Sequence, residues 1–140
     1  MKLTTKGRYA VMAMADLAAY QNGKPVSLVD ISLRQNISLS YLEQLFSKLK
    51  NEQLVKSVRG ASGGYVLEKN PKDIKISNII FAVDEQVKTL NCKRESKKGC
   101  NGKAVKCITH DLWDELEDYI NNFFQQKTLS DLVNRGNFNG

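Results

Sequence analysis

The sequence predicts a mainly α-helical chain carrying one small β-hairpin. Three observations predict it. Two Ser-x-x-acid helix starts stand close together, Ser27-Leu-Val-Asp30 and Ser40-Tyr-Leu-Glu43. Leu42, Leu45, Phe46 and Leu49 then fall at the spacing of one buried helical stripe. Directly after them, two short β-prone runs flank Gly60-Ala-Ser-Gly-Gly64.

Taken in order, Thr4 or Thr5 can cap a first helix through Tyr20, with Tyr9, Ala10, Ala13, Met14, Leu17 and Ala18 as its apolar face. Gln21-Asn-Gly-Lys-Pro25 breaks it. Ser27 opens a short helix ending near Gln35, and Asn36-Ile-Ser38 makes a tight turn. Either Ser40 or Ser38 can cap the next helix, which runs to about Asn51. Its outward face carries Ser40, Tyr41, Glu43, Gln44, Ser47 and Lys48. Short helix, tight turn and a second helix with polar side chains outward is the grammar of a helix-turn-helix. An ordinary helical hairpin with a solvated face obeys the same grammar.

The hairpin that follows, Leu54–Arg59 and Tyr65–Lys69, gives the element order of a winged helix, with a plain surface hairpin as the alternative. Arg59 and Gly60 lie at its tip, where a flexible turn lets a guanidinium enter a narrow minor groove. A phosphate loop is ruled out, because no Gly-Lys-Ser/Thr follows the glycines. Pro71 ends the wing, Ile74-Lys-Ile76 suggests a further short strand, and Ser77 can cap a helix with Ile79, Ile80 and Val83. Beyond His110, Thr109 can cap a helix to about Lys127, about 30 Å long at ~1.5 Å per residue. Its apolar residues, Leu112, Trp113, Leu116, Tyr119, Ile120, Phe123 and Phe124, cover more than one contact needs. One side can meet a second copy, giving a two-fold dimer with heads about 34 Å apart, one DNA turn. A wholly intramolecular core helix is the alternative. A short last helix spans Ser130 to Asn134. The expected organisation is a winged helix-turn-helix over 1–84, a ligand loop over 85–110 and a dimerising part over 111–140.

Charge divides along the chain. Residues 1–70 hold ten Lys/Arg against five Asp/Glu, and residues 71–107 nine against four. Residues 108–140 hold two against six. A basic front and acidic rear suit an anionic partner at the front, with nucleic acid first. No apolar run approaches the ~20 residues that span a bilayer, and the first residues lack a signal peptide's apolar stretch. A cytoplasmic, reducing location away from membranes is therefore expected, where cysteines bind metal more often than they pair. No nucleophile–base pair or carboxylate dyad stands out, so no enzymatic activity is expected.

All three cysteines and the only histidine fall within one stretch, Cys92-x7-Cys100-x6-Cys107-x2-His110. Three thiolates and an imidazole are enough to close a site on zinc or on an iron–sulfur cluster. Zinc fits the spacing poorly for want of paired Cys-x2-Cys knuckles, and an ordinary four-cysteine ferredoxin cluster lacks its fourth thiolate. Lys93, Arg94, Lys97, Lys98, Lys103 and Lys106 would stabilise an anionic cluster, and Gly99 and Gly102 allow close backbone approach. Free thiols in a basic loop are the bland alternative.

Taken together, these residues resemble the iron–sulfur cluster regulators of the IscR type, bacterial winged-helix transcription factors. The matching stretches are Leu3–Ala10, Ile37–Phe46, Val58-Arg-Gly60 with Gly63-Gly-Tyr65, Ala82–Glu85, and Cys107-x-Thr-His110-x-Leu-Trp113. The resemblance implies a homodimer on palindromic promoter sites of double-stranded DNA. It also implies a 2Fe–2S cluster on Cys92, Cys100, Cys107 and His110, supplied by cluster-assembly proteins. Cluster occupancy would set which promoters are bound, including those of cluster-assembly genes. The reading helix would offer Ser38, Ser40, Tyr41, Glu43, Gln44, Ser47 and Lys48, with Arg59 and Gly60 from the wing. The cysteine spacings are slightly longer here than such regulators lead one to expect. A nitric oxide or iron sensor, a zinc-holding regulator, and an iron–sulfur carrier or electron-transfer protein are the competing readings.

Overall fold

The structure, a computed structural model, describes residues 5–83 and 108–135. Cys92, Cys100, Cys107 and Thr4 lie outside the described residues. Helix α1 (Thr5–Tyr20) buries Ala10, Ala13, Met14 and Leu17, the stripe that its spacing predicts. Thr5 is the first described residue and already lies in the helix. Helix α2 (Leu28–Gln35) is capped by Ser27, whose hydroxyl accepts from the Asp30 N–H at 3.1 Å. It stops at Asn36, in the left-handed region at φ 55°, a conformation that asparagine tolerates better than most side chains.

Helix α3 (Leu39–Asn51) is capped by Ser38, which accepts from the Tyr41 N–H at 3.2 Å. Of the two serines that could cap, Ser40 therefore lies inside the first turn with its hydroxyl at the surface. Leu42, Leu45, Phe46 and Leu49 are fully buried or nearly so. The wing consists of β1 (Val55–Val58) and β2 (Gly64–Leu67), antiparallel, with Val55 opposite Leu67 and Val58 opposite Gly64. Val26 adds a bridge on the far side of β2, exchanging two backbone hydrogen bonds with Tyr65 at 2.8 and 2.9 Å. A Cβ on Gly64 would collide with the Val26 carbonyl, so this close approach requires glycine. The Tyr65 ring packs on Phe46, 4.9 Å between centroids, and so joins wing to α3.

The segment after the wing departs from expectation. Pro71–Asp73 form a single 3-10 turn, held by the Asn70 side chain accepting from the Lys72 N–H. No strand forms over Ile74–Ile76. Lys75 makes one bridge, with Thr128, and helix α4 (Ile76–Ala82) already begins at Ile76. Lys75 rather than Ser77 occupies the cap position, and the Asn78 side-chain Oδ1 accepts the Lys75 N–H at 3.0 Å. The 3-10 turn on one side and α4 on the other leave only Ile74 and Lys75 between them, too few for a strand.

Helix α5 (His110–Gln126) and helix α6 (Leu129–Arg135) complete the chain. α5 packs against α4, while α6 packs on α1 and on the 3-10 turn. Leu129 is fully buried in the same core as Met14, Phe46 and Ile79. Its N–H donates to the Ile74 carbonyl at 2.8 Å, and that of Ile76 to the Lys127 carbonyl at 2.9 Å. No described helix is long and apolar enough to cross a membrane.

Candidate nucleic-acid interface and ligand stretch

Turning Leu42, Leu45, Phe46 and Leu49 into the core leaves one polar ridge of α3 outside. Ser40, Glu43, Gln44 and Ser47 follow each other along it at helical spacing, and all four are exposed, as is Ser38 before them. A ridge of hydroxyls, an amide and a carboxylate can donate to and accept from base edges in a major groove. Tyr41 and Lys48 behave differently, for both are half-buried. The Tyr41 ring leans edge-on against Tyr9 of α1, centroids 5.8 Å apart, and packs on the core. Part of its side chain thus holds α3 to α1.

Arg59 follows β1 directly and is exposed. Gly60 has φ +125°, which side chains rarely adopt, and its carbonyl accepts the Gly63 N–H at 3.0 Å to close the turn. A Cβ on Gly63 would meet the Val58 carbonyl. The tip is therefore tight and presents a cation at its edge. Lys50, near the end of α3, donates to the Ser57 hydroxyl at 3.1 Å and links α3 to the wing.

Several residues that hold these elements escape a reading of the sequence. Asp16 is fully buried, and both its oxygens are engaged. Oδ1 accepts from Arg34 Nη2 at 2.7 Å; Oδ2 accepts from Arg34 Nε at 2.9 Å and from Gln35 Nε2 at 2.8 Å. Arg34 also lies over the Tyr20 ring, 4.0 Å from its centroid. The hydrogen bond to Asp16 raises the Arg34 pKa above its ordinary value, outweighing the opposing cost of partial burial. The one available signal was a lone carboxylate inside the apolar run Met12–Ala19, which must find a partner if it is buried.

At the other end of the chain, His110 is the first residue of α5 and is 7% exposed. Glu117, two turns on, is buried on the same side. Thr109 occupies the cap position, yet its hydroxyl oxygen accepts from the Trp113 indole N–H at 3.0 Å and caps no backbone group. The large apolar side chains point the other way. Leu112, Trp113, Leu116, Tyr119 and Phe123 are exposed, whereas Ile120 and Phe124 are half-buried. Beside Phe123 and Phe124 opens an apolar groove of about 330 Å³, walled also by Val11, Met12, Ile80 and Leu132. Of the four soft or borderline ligands in the sequence, only His110 is among the described residues. Those residues contain no group of three or more acids, histidines and cysteines able to hold a metal.

Comparison with known proteins supplies a family. Residues 3–135 match the Rrf2 model, described as an iron-dependent transcriptional regulator. The HTH-type transcriptional regulator IscR of Photorhabdus laumondii is 52% identical over 134 residues, covering 96% of this chain and 80% of that protein. The IscR of Escherichia coli O1:K1 is equally similar, with 81% of its length covered. Among solved structures, the global cysteine regulator CymR of B. subtilis superposes with TM-score 0.81 at 34% identity, covering 98% of this chain and 99% of that one. The IscR of T. potens superposes with TM-score 0.75 at 37% identity, covering 96% and 88%.

Proposed function

Because the chain belongs to the Rrf2 family of transcriptional regulators, we propose that this DNA-binding regulator acts as a homodimer whose choice of promoter is set by a 2Fe–2S cluster. The observation that carries the reading is the position of His110. It lies buried at the first turn of α5, three residues after Cys107, on the helix whose other side exposes five large apolar residues. A ligand bound there bears directly on the helix that would join two copies.

The donor set fits such a cluster. Three thiolates and one neutral imidazole supply four ligands, and the stretch between them is rich in lysine. Cys92, Cys100, Cys107 and His110 would hold it, and it would supply a centre sensitive to redox state and to iron supply. The chain's own residues do the rest. Ser40, Gln44 and Ser47 would meet base edges, with Ser38, Tyr41 and Lys48 toward the backbone. Arg59 and Gly60 would enter the minor groove. Glu43 repels phosphate and accepts from cytosine N4, so it both selects and rejects sites. The exposed stripe of α5 would meet its counterpart in the second copy, and the groove beside Phe123 extends the apolar area available. Palindromic promoter sites, a cytoplasmic setting, cluster-assembly proteins as donors, and cluster-assembly genes as targets complete the reading.

The test is the visible absorption spectrum of anaerobically purified protein, with iron, sulfide and zinc assayed on the same sample. Bands between roughly 320 and 460 nm with about two iron and two sulfide per chain are expected for this ligand set. Colourless protein holding zinc would overturn the cluster and leave the DNA reader in place.

A further inference from the structure

We propose that the end of α1, from Asp16 to Gln21, is a positioning element that sets DNA sequence selectivity by holding the reading helix and the wing in fixed relation. The inference rests on the assignment of α3 and the wing as the DNA-contacting elements.

Both elements are tied to the same stretch of α1 by directional bonds. Asp16 takes a two-pronged contact from Arg34 and a third bond from Gln35. Arg34 and Gln35 are the last residues of α2, and only Asn36 and Ile37 separate them from the Ser38 cap of α3. The Tyr20 ring backs the Arg34 guanidinium from the same helix. One residue further, Gln21 Oε1 accepts from the Leu67 N–H, at the last residue of β2, at 3.0 Å. Pairs 18 and 46 residues apart in the chain thus converge on less than two turns of α1.

Apolar packing alone tolerates small slides of one element over another, whereas a two-pronged guanidinium–carboxylate contact fixes direction as well as distance. Non-specific DNA binding needs only cations near phosphates, but base reading needs hydrogen-bonding groups in register. Loosening these ties should therefore cost selectivity and spare electrostatic affinity. Loss of folding would instead lower both.

Three variants of the full chain separate these outcomes. Arg34→Lys keeps the cation and loses the fork. Gln21→Leu keeps the shape and loses the acceptor. Gln21→Glu restores an acceptor for the Leu67 N–H. The probes are a duplex enriched by the wild-type protein from a random-sequence library and a scrambled duplex of equal composition. For R34K and Q21L, the ratio of the two affinities should fall by about tenfold, comparable to one lost base contact. Affinity for the scrambled duplex and its salt dependence should be unchanged, and Q21E should recover the ratio. Wild-type ratios in R34K and Q21L, equal losses on both duplexes, or Q21E behaving like Q21L would each overturn the positioning role. If the wild-type protein enriches no sequence at all, the assignment of the DNA-contacting elements falls, and this inference falls with it.

Discussion

At the scale of single side chains, the cap of α3 and the tip of the wing decide which groups are offered for the proposed DNA contact. Because Ser38 caps α3, Ser40 sits one step inside the helix and joins the exposed ridge with Glu43, Gln44 and Ser47. Arg59 extends from a tip whose tightness depends on glycines. Arg59→Ala should weaken operator binding by about tenfold or more, since a groove contact of this kind contributes about 1–3 kcal/mol. Titration of labelled duplex checks it, and the cofactor's absorbance should be unchanged; its loss would contradict the separate roles of wing and ligand stretch. Gly64→Ala sets a methyl group against the Val26 carbonyl and breaks the bridge to Tyr65. A loss of about 2 kcal/mol in chemical denaturation is expected, with weaker DNA binding because the wing loses its anchor. Arg34, by contrast, should add no pH dependence near neutrality. A raised arginine pKa gives stability that is fully present below the unfolded value and is lost only as pH rises through the folded one.

At the scale of elements, the helices of the head were legible because their signals are local. Ser27 and the Leu42–Leu49 stripe announce themselves within a few residues, and the wing is announced by its glycines. What stayed hidden depends on distant partners. Val26 joins β2 with a single residue, Lys75 bridges to Thr128, and Asp16 finds Arg34 eighteen residues on. No periodicity within a short window encodes such pairs. The same holds for Tyr41, whose place on the outward face could be read but whose lean onto Tyr9 could not.

α5 is unusual in that its buried side carries His110 and Glu117, while Leu112, Tyr119 and Phe123 are each more than half exposed. An apolar stripe of that length is covered in a working protein by something. Leu116→Asp, placed in the middle of the stripe, should convert the proposed dimer to monomer in light scattering while leaving the helical signal intact. A wild-type protein that is monomeric at all concentrations would remove the dimer interface from the account. Cys100→Ala should lose the visible absorbance and remain a folded dimer; a monomer or aggregate would make the ligand stretch structural.

For the molecule as a whole, the division of charge follows the proposed division of labour. The basic residues concentrate in residues 1–107, and residues 108–140 are acidic. α1 is a shared packing partner, since it packs against α2, α3 and β2 and also against α4 and α6. DNA affinity should therefore fall steeply with salt, while under the proposed cluster control the choice of sequence should change with the state of the ligand stretch. The most direct measurement is a selection from a random duplex library, run in parallel under anaerobic conditions on the wild-type protein and on Cys100→Ala. Cluster control requires two different sets of enriched sequences. One shared set, bound with equal affinity by both proteins, would contradict it.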